Sequence, residues 1–173
     1  MVDKILVPCV AIWQIAVQAS CEVSMVDKIL VPLDGSKRAE AVLRHVADLA
    51  QRYHAKVIFL QVIDPGAVVS GMGGSYTVAD AGVIQRLVGD ADRYLTARCS
   101  EFRSEGITAE FRIGHGDVVQ SILSVAQTEG VDLVAMASHG RSGLRRVFYG
   151  SVAAGVLNRI DRSLLLIRSA GIK

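Results

Sequence analysis

Residues 132–151 read DLVAMASHGRSGLRRVFYGS, and the change of character within that stretch decides the fold. DLVAMA (132–137) is predicted as a strand whose apolar run is unbroken, as expected near a sheet centre where both faces are covered. The segment after it turns to glycine, serine and arginine. Gly140 lets backbone amides approach a phosphate with no side chain in the way, and Gly150 with Ser151 opens a helix whose first amides and dipole favour an anion. Ser151 adds a hydroxyl donor. Strand, loop and helix in that order predict one repeat of a parallel α/β domain.

The pattern continues outward on both sides. Towards the carboxyl terminus, Val152, Val156, Leu157 and Ile160 are expected on one helical face, and LLLIR (164–168) closes the sheet. Towards the amino terminus, Asp117 caps a helix that turns Val118, Ile122, Val125 and Ala126 inward. ITAEFRI (107–113) is a strand whose weak alternation suggests a sheet edge. Thr77 with Asp80 forms a capping-box start for a long helix with the stripe Ile84, Leu87, Val88, Ala91, Leu95 and Phe102, ending near Gly106. Asp64 to Tyr76 holds Pro65, Gly66, Gly71, Gly73 and Gly74 and is predicted as a mobile loop and candidate lid.

KVIFLQVI (56–63) and KILVPL (28–33) are the remaining strands. After the latter, Asp34-Gly35-Ser36 makes a turn and cap, and Val42, Val46, Leu49, Ala50 and Tyr53 share a helical face. Five strands alternating with helices predict an α/β fold, a five-stranded parallel sheet with helices on both faces. Pro32 cannot donate to a strand ladder, and it falls at the carboxyl end of its strand, where pairing stops. Open α/β sheets bind ligands at that end, at a topological switch point.

Composition narrows the function classes. The 173-residue chain has 51% hydrophobic residues, enough for one domain with a proper core. Aromatic residues are 5%, which leaves no stacking surface for single-stranded nucleic acid, and a net charge of +2 implies no polyanionic partner. Cys9, Cys21 and Cys99 fit neither a disulfide framework nor a zinc pair, so a cytoplasmic location is expected. His45, His54, His115 and His139 are scattered, and no metal site is assigned. No membrane-spanning segment is expected.

The first residues are unusual. MVDKILVP occupies residues 1–8 and recurs at 25–32. Between the copies, CVAIWQIAVQASCEVS imitates a signal peptide, but Pro8, Asp3, Gln14 and Gln18 do not fit one. Residues 1–24 are expected to be a duplicated leader, from the gene start or from cloning, outside the functional domain of residues 25–173. The first copy lacks the Asp-Gly-Ser turn that follows the second.

The stretch 132–151, with LVPLDGS (30–36) and SLLLIR (163–168), resembles the universal stress protein family over essentially all of Met25 to Arg168. In ATP-binding members the pattern is G-x-x-G, nine residues, then G-[ST]. Here it reads Ala137-Ser138-His139-Gly140, RSGLRRVFY, Gly150-Ser151, which keeps the spacing and three of the four fixed positions. Ala137 replaces the first glycine; a positive φ there would cost alanine ~1 to 2 kcal/mol, whereas a need for small bulk alone would tolerate a methyl. Ser163 stands where relatives often have proline.

The resemblance implies a Rossmann-like sheet of order 3-2-1-4-5, as in adenine nucleotide alpha hydrolases. It also implies ATP as ligand, with or without Mg2+, and no tightly held metal. Asp34 would accept from a ribose hydroxyl or an adenine edge, and Val62 would wall the adenine with Pro32 and Leu33. Met136, Ala137, His139, Gly140, Arg141, Gly143, Gly150, Ser151, Val152 and Ala153 complete the implied nucleotide-binding set. Plainer roles exist for several: Asp34 as a helix cap with Ser36, Gly140 and Gly143 as hinges, Arg141, Arg145 and Arg146 as a solvated face, His139 as structural.

Other motifs lead nowhere. Gly114-His115-Gly116 has Val119 where a dinucleotide fingerprint needs glycine, and there is no Walker A sequence. Serine nucleophile elbows and paired His and Cys are absent, so no catalytic residue is assigned and any ATP hydrolysis is expected to be slow. The last strand would be an apolar edge, which predicts a homodimer through Leu164 to Ile167. Partners are then an adenine nucleotide, a second copy and an unidentified protein, with no nucleic acid and no membrane. The alternative is a nucleotide-free dimeric stress module whose site Ala137 has closed; retention of Gly140, Gly150 and Ser151 argues against it.

Overall fold

The computed structural model of the chain describes residues 26–64, 81–138 and 150–168. The leader 1–24, the candidate lid from Pro65 to Tyr76 and the capping pair Thr77 and Asp80 lie outside them. Five parallel strands form one sheet: β1 (Lys28–Pro32), β2 (Lys56–Ile63), β3 (Ala109–His115), β4 (Leu133–Ala137) and β5 (Ser163–Ile167), in the order β3-β2-β1-β4-β5. A 3-10 turn (Ala39–Val42) leads into α1 (Leu43–Tyr53); α2 (Ala81–Ser104), α3 (Val118–Thr128) and α4 (Ser151–Leu157) make the crossovers. The predicted α/β class, strand order and two helical layers are all present.

Strand periodicity sorts the core into two layers. Ile29, Val31, Val57, Phe59 and Ala135 face α1 and α2, where they meet Val46, Ala50, Leu95, Cys99 and Phe102. Phe59 and Phe102 meet edge to face, ring centroids 5.0 Å apart. Leu30, Ile58, Leu60, Val134 and Met136 face α3 and α4, against Ile122, Ala126, Ala153 and Val156. Every residue of β4 is buried, as its unbroken run predicts, and β3 lies at an edge.

Several boundaries and faces differ from the sequence reading. The first strand ends at Pro32, so Leu33 leaves the ladder, although its amide still donates to Leu60 O at 2.8 Å. Asp132 precedes β4 because its Oδ2 accepts from the amides of Asp27 and Lys28, both at 2.9 Å, which fastens the start of β1. The third strand runs two residues later than predicted, over 109–115, because Gly106 turns the chain at φ 79° and the ladder to β2 continues as far as Ile63 with His115. The last strand is 163–167, not 164–168.

Val42 belongs to the 3-10 turn and not to α1. Tyr53, the last residue of α1, is exposed, and so is Leu157 at the end of α4. Helix α4 stops before Ile160, which packs on the second layer from beyond it.

At the amino-terminal end of β2 and β3 a chain of charges closes the second layer. Lys56 pairs with Glu110 at 2.6 Å, Arg112 with Glu110 at 3.0 Å and with Glu129 at 2.7 Å. Lysine's hydrogen bond holds the Glu110 carboxyl below its usual range against the opposing effect of burial. Helices α3 and α4 approach closely because Gly155 has no side chain: a Cβ there would lie 2.8 Å from Val119 Cγ2.

Candidate functional site

Strand β1 is followed in the chain by β2 on one side of it and flanked by β4 on the other, so a crevice opens at their carboxyl ends. A cleft of about 230 Å3 lies there. Pro32, Leu33 and Asp34 form its floor where β1 ends, and Val62 comes from β2. Met136, Ala137 and Ser138 reach it from β4, and Gly150, Ser151, Val152 and Ala153 from the first turn of α4. The expected residues that fall within the described chain thus line one cleft. His139, Gly140, Arg141 and Gly143 lie outside the described residues.

The two flanks of segment 139–149 are fastened together. Ser138 N donates to Ile167 O and Gly150 N donates to Ser138 O, both at 2.8 Å. Gly150 is the N-cap of α4 in an extended conformation (φ −64°, ψ 159°), without a side-chain cap. The amides of Ser151 to Ala153 belong to the first turn, where a helix supplies no carbonyl to receive them. Ser151, Val152 and Ala153 line the cleft beside the carboxyl end of β4.

Ala137 fits this arrangement without strain. It pairs with Ile167 in the ladder, and His54 is the only non-glycine with a positive φ among the described residues. The methyl therefore costs no left-handed backbone energy.

Asp34 is the only ionisable side chain among the described lining residues. Its Oδ1 accepts from Ser36 N at 2.9 Å, and Ser36 Oγ accepts from Ala39 N at 3.2 Å. Gly35 takes φ 77° between them. The plainer capping role is therefore real, and it coexists with a place in the cleft lining. Apart from Asp34, Ser138 and Ser151, the side chains of the described lining are apolar or absent.

The sequence reading missed five lining residues: Ala39, Leu60, Val118, Ile122 and Ser138. Val118 and Ile122 are recognisable as the inward face of α3, and Leu60 shares the pleat of Val62; nothing in their apolar character separates a cleft wall from core. Among the described residues no group of His, Cys, Asp and Glu is placed to hold a metal ion. No described helix is long and apolar enough to cross a membrane.

Comparison with known proteins gives a consistent picture. The sequence model of the universal stress protein family matches residues 25–168. Universal stress protein MJ0577 of Methanocaldococcus jannaschii is 28% identical over 155 residues, which cover 83% of this chain and 96% of that protein. The solved structure of MJ0577 has a TM-score of 0.74, again over 83% of this chain and 96% of that one. Two further solved structures share the fold. One is an Archaeoglobus fulgidus universal stress protein in complex with dAMP (TM-score 0.57, 23% identity, 82% of this chain and 98% of that). The other is a universal stress protein in complex with cAMP (TM-score 0.59, 19% identity, 84% and 98%).

Proposed function

The chain belongs to the universal stress protein family, and we propose that this stress-response protein binds an adenine nucleotide, ATP, in the cleft between β1 and α4, and acts as a regulator. One observation carries the reading. Asp34 and the first turn of α4, far apart in sequence, open on a single apolar cleft at the sheet's switch point. An acidic acceptor suits ribose hydroxyls, apolar walls suit a purine, and first-turn amides suit a phosphate. Gly140, Arg141, Arg145 and Arg146 would extend the phosphate contacts, with or without Mg2+. The complexes of fold relatives with dAMP and cAMP agree with this chemistry.

Among the described lining residues there is no His, Lys or Cys, and we infer that any turnover of ATP is slow. We place the protein in the cytoplasm as a homodimer in which Leu164 to Ile167 of β5 pair with a second copy. That edge is the apolar one, whereas β3 carries Glu110 and Arg112. Denaturing the purified protein and identifying the small molecules released tests the reading: ATP or AMP in stoichiometric amount supports it, and absence of any adenine nucleotide after incubation with ATP contradicts it.

A further inference from the structure

Behind the Asp34 turn, away from the cleft, sits a polar cluster in the first core layer. Glu40 belongs to the 3-10 turn whose first residue, Ala39, lines the cleft. The Tyr94 hydroxyl, from α2, donates to Glu40 Oε1 at 2.9 Å. Arg98, one helical turn on, approaches the same oxygen at 3.8 Å and pairs with Glu101 at 2.7 Å. Its guanidinium carbon lies 5.7 Å from the centre of the Tyr94 ring. Arg98 Nε is buried without a hydrogen-bond partner among the described residues.

Glu40 joins this cluster to the cleft through a short covalent and hydrogen-bonded path. Its own amide donates to Ser36 O at 3.2 Å, Ser36 Oγ caps Ala39, and Ser36 N is held by Asp34. Burial, then the bond to Glu40, pushes the Tyr94 hydroxyl well above the ordinary phenol range, so it remains a donor at any physiological pH. A partly buried phenol donating to a carboxylate is costly to break, because both groups would lose a partner where water has limited access.

We propose that Glu40, Tyr94 and Arg98 form a positioning latch by which α2 fixes the Asp34–Ser36 turn, so that Tyr94, outside the cleft lining, sets how firmly the cleft holds its ligand. The effect on ligand rests on the nucleotide reading of the cleft; the ordering of the turn does not. Tyr94 is a positioning residue, acting through Glu40 and Ser36.

The test is amide hydrogen exchange of the full chain, without ligand, for wild type, Tyr94→Phe and Glu40→Gln. Loss of one partly buried hydrogen bond predicts about three- to tenfold faster exchange at Ser36 and Ala39 in Tyr94→Phe, with Val57 and Ile58 of β2 unchanged. Glu40→Gln keeps a carbonyl acceptor and is expected to stay within about twofold of wild type at the same amides. ATP titration of Tyr94→Phe should show Kd raised by the same about three- to tenfold. Unchanged exchange at Ser36 and Ala39, or equal acceleration over the whole sheet, overturns the latch; faster local exchange with unaltered Kd overturns its link to the ligand. Wild type that binds no ATP overturns the reading of the cleft, and exchange then decides the latch alone.

Discussion

Gly150 N donates to Ser138 O at 2.8 Å, which fastens the start of α4 to the end of β4 and makes both flanks of segment 139–149 part of one cleft wall. Asp34, ordered by its bond to Ser36 N, lines the same cleft from the end of β1. The nucleotide reading depends on these two segments opening on one cleft.

Asp34→Ala should weaken ATP binding by about ten- to a hundredfold, the range for losing a charged hydrogen-bond acceptor. Ser36→Ala removes the cap on Ala39 but leaves the carboxylate. It should cost about 1 kcal/mol of stability, and affinity should fall by no more than about tenfold, through the loosened turn alone. Calorimetric titration and urea unfolding of the two variants separate the ligand-binding part of this turn from its capping part.

Gly155→Ala should destabilise the protein by about 1 to 2 kcal/mol, since the new methyl meets the Cγ2 of Val119, a side chain too stiff at χ1 to swing away. Adding Val119→Ala opens the space and should recover part of the loss. A double-mutant cycle in urea checks it; additive losses would deny the close helix contact.

Glu110 ties stability to acid pH. Its carboxyl is held below the usual value by Lys56, so its contribution is present above the ordinary Glu pKa and is lost as pH falls through the lowered folded value. The pair is partly exposed, so wild type should exceed Glu110→Gln by about 1 kcal/mol or less at pH 7. That margin should shrink as pH falls from the ordinary Glu range through the lowered folded value, as urea midpoints measured along an acid series would show.

Much of this was legible in the sequence because strand and helix periods are distinct. The second strand is as predicted, Lys56–Ile63, and Asp117 caps α3 with its side chain accepting from Gln120 N at 2.7 Å. Errors arose where tertiary structure ends an element that local pattern would continue. Leu157 continues the helical stripe of Val152 and Val156, but α4 stops there, over water. Gly114 reads as the end of a strand, yet the ladder passes through it opposite Val62, whose Cγ2 would sit 3.3 Å from any added Cβ. At the site, Asp34 and Gly150-Ser151 announce themselves by chemistry, while Leu60, Val118 and Ile122 look like any other core residue until the sheet order places them at the crevice.

The most direct test is titration of the full chain with ATP, followed by backbone amide NMR. A nucleotide in the cleft predicts saturable shifts concentrated at Asp34, Val62, Ala137 and Gly150 to Ala153, with one common Kd. Absence of shifts, or shifts clustered on another face of the sheet, would contradict it.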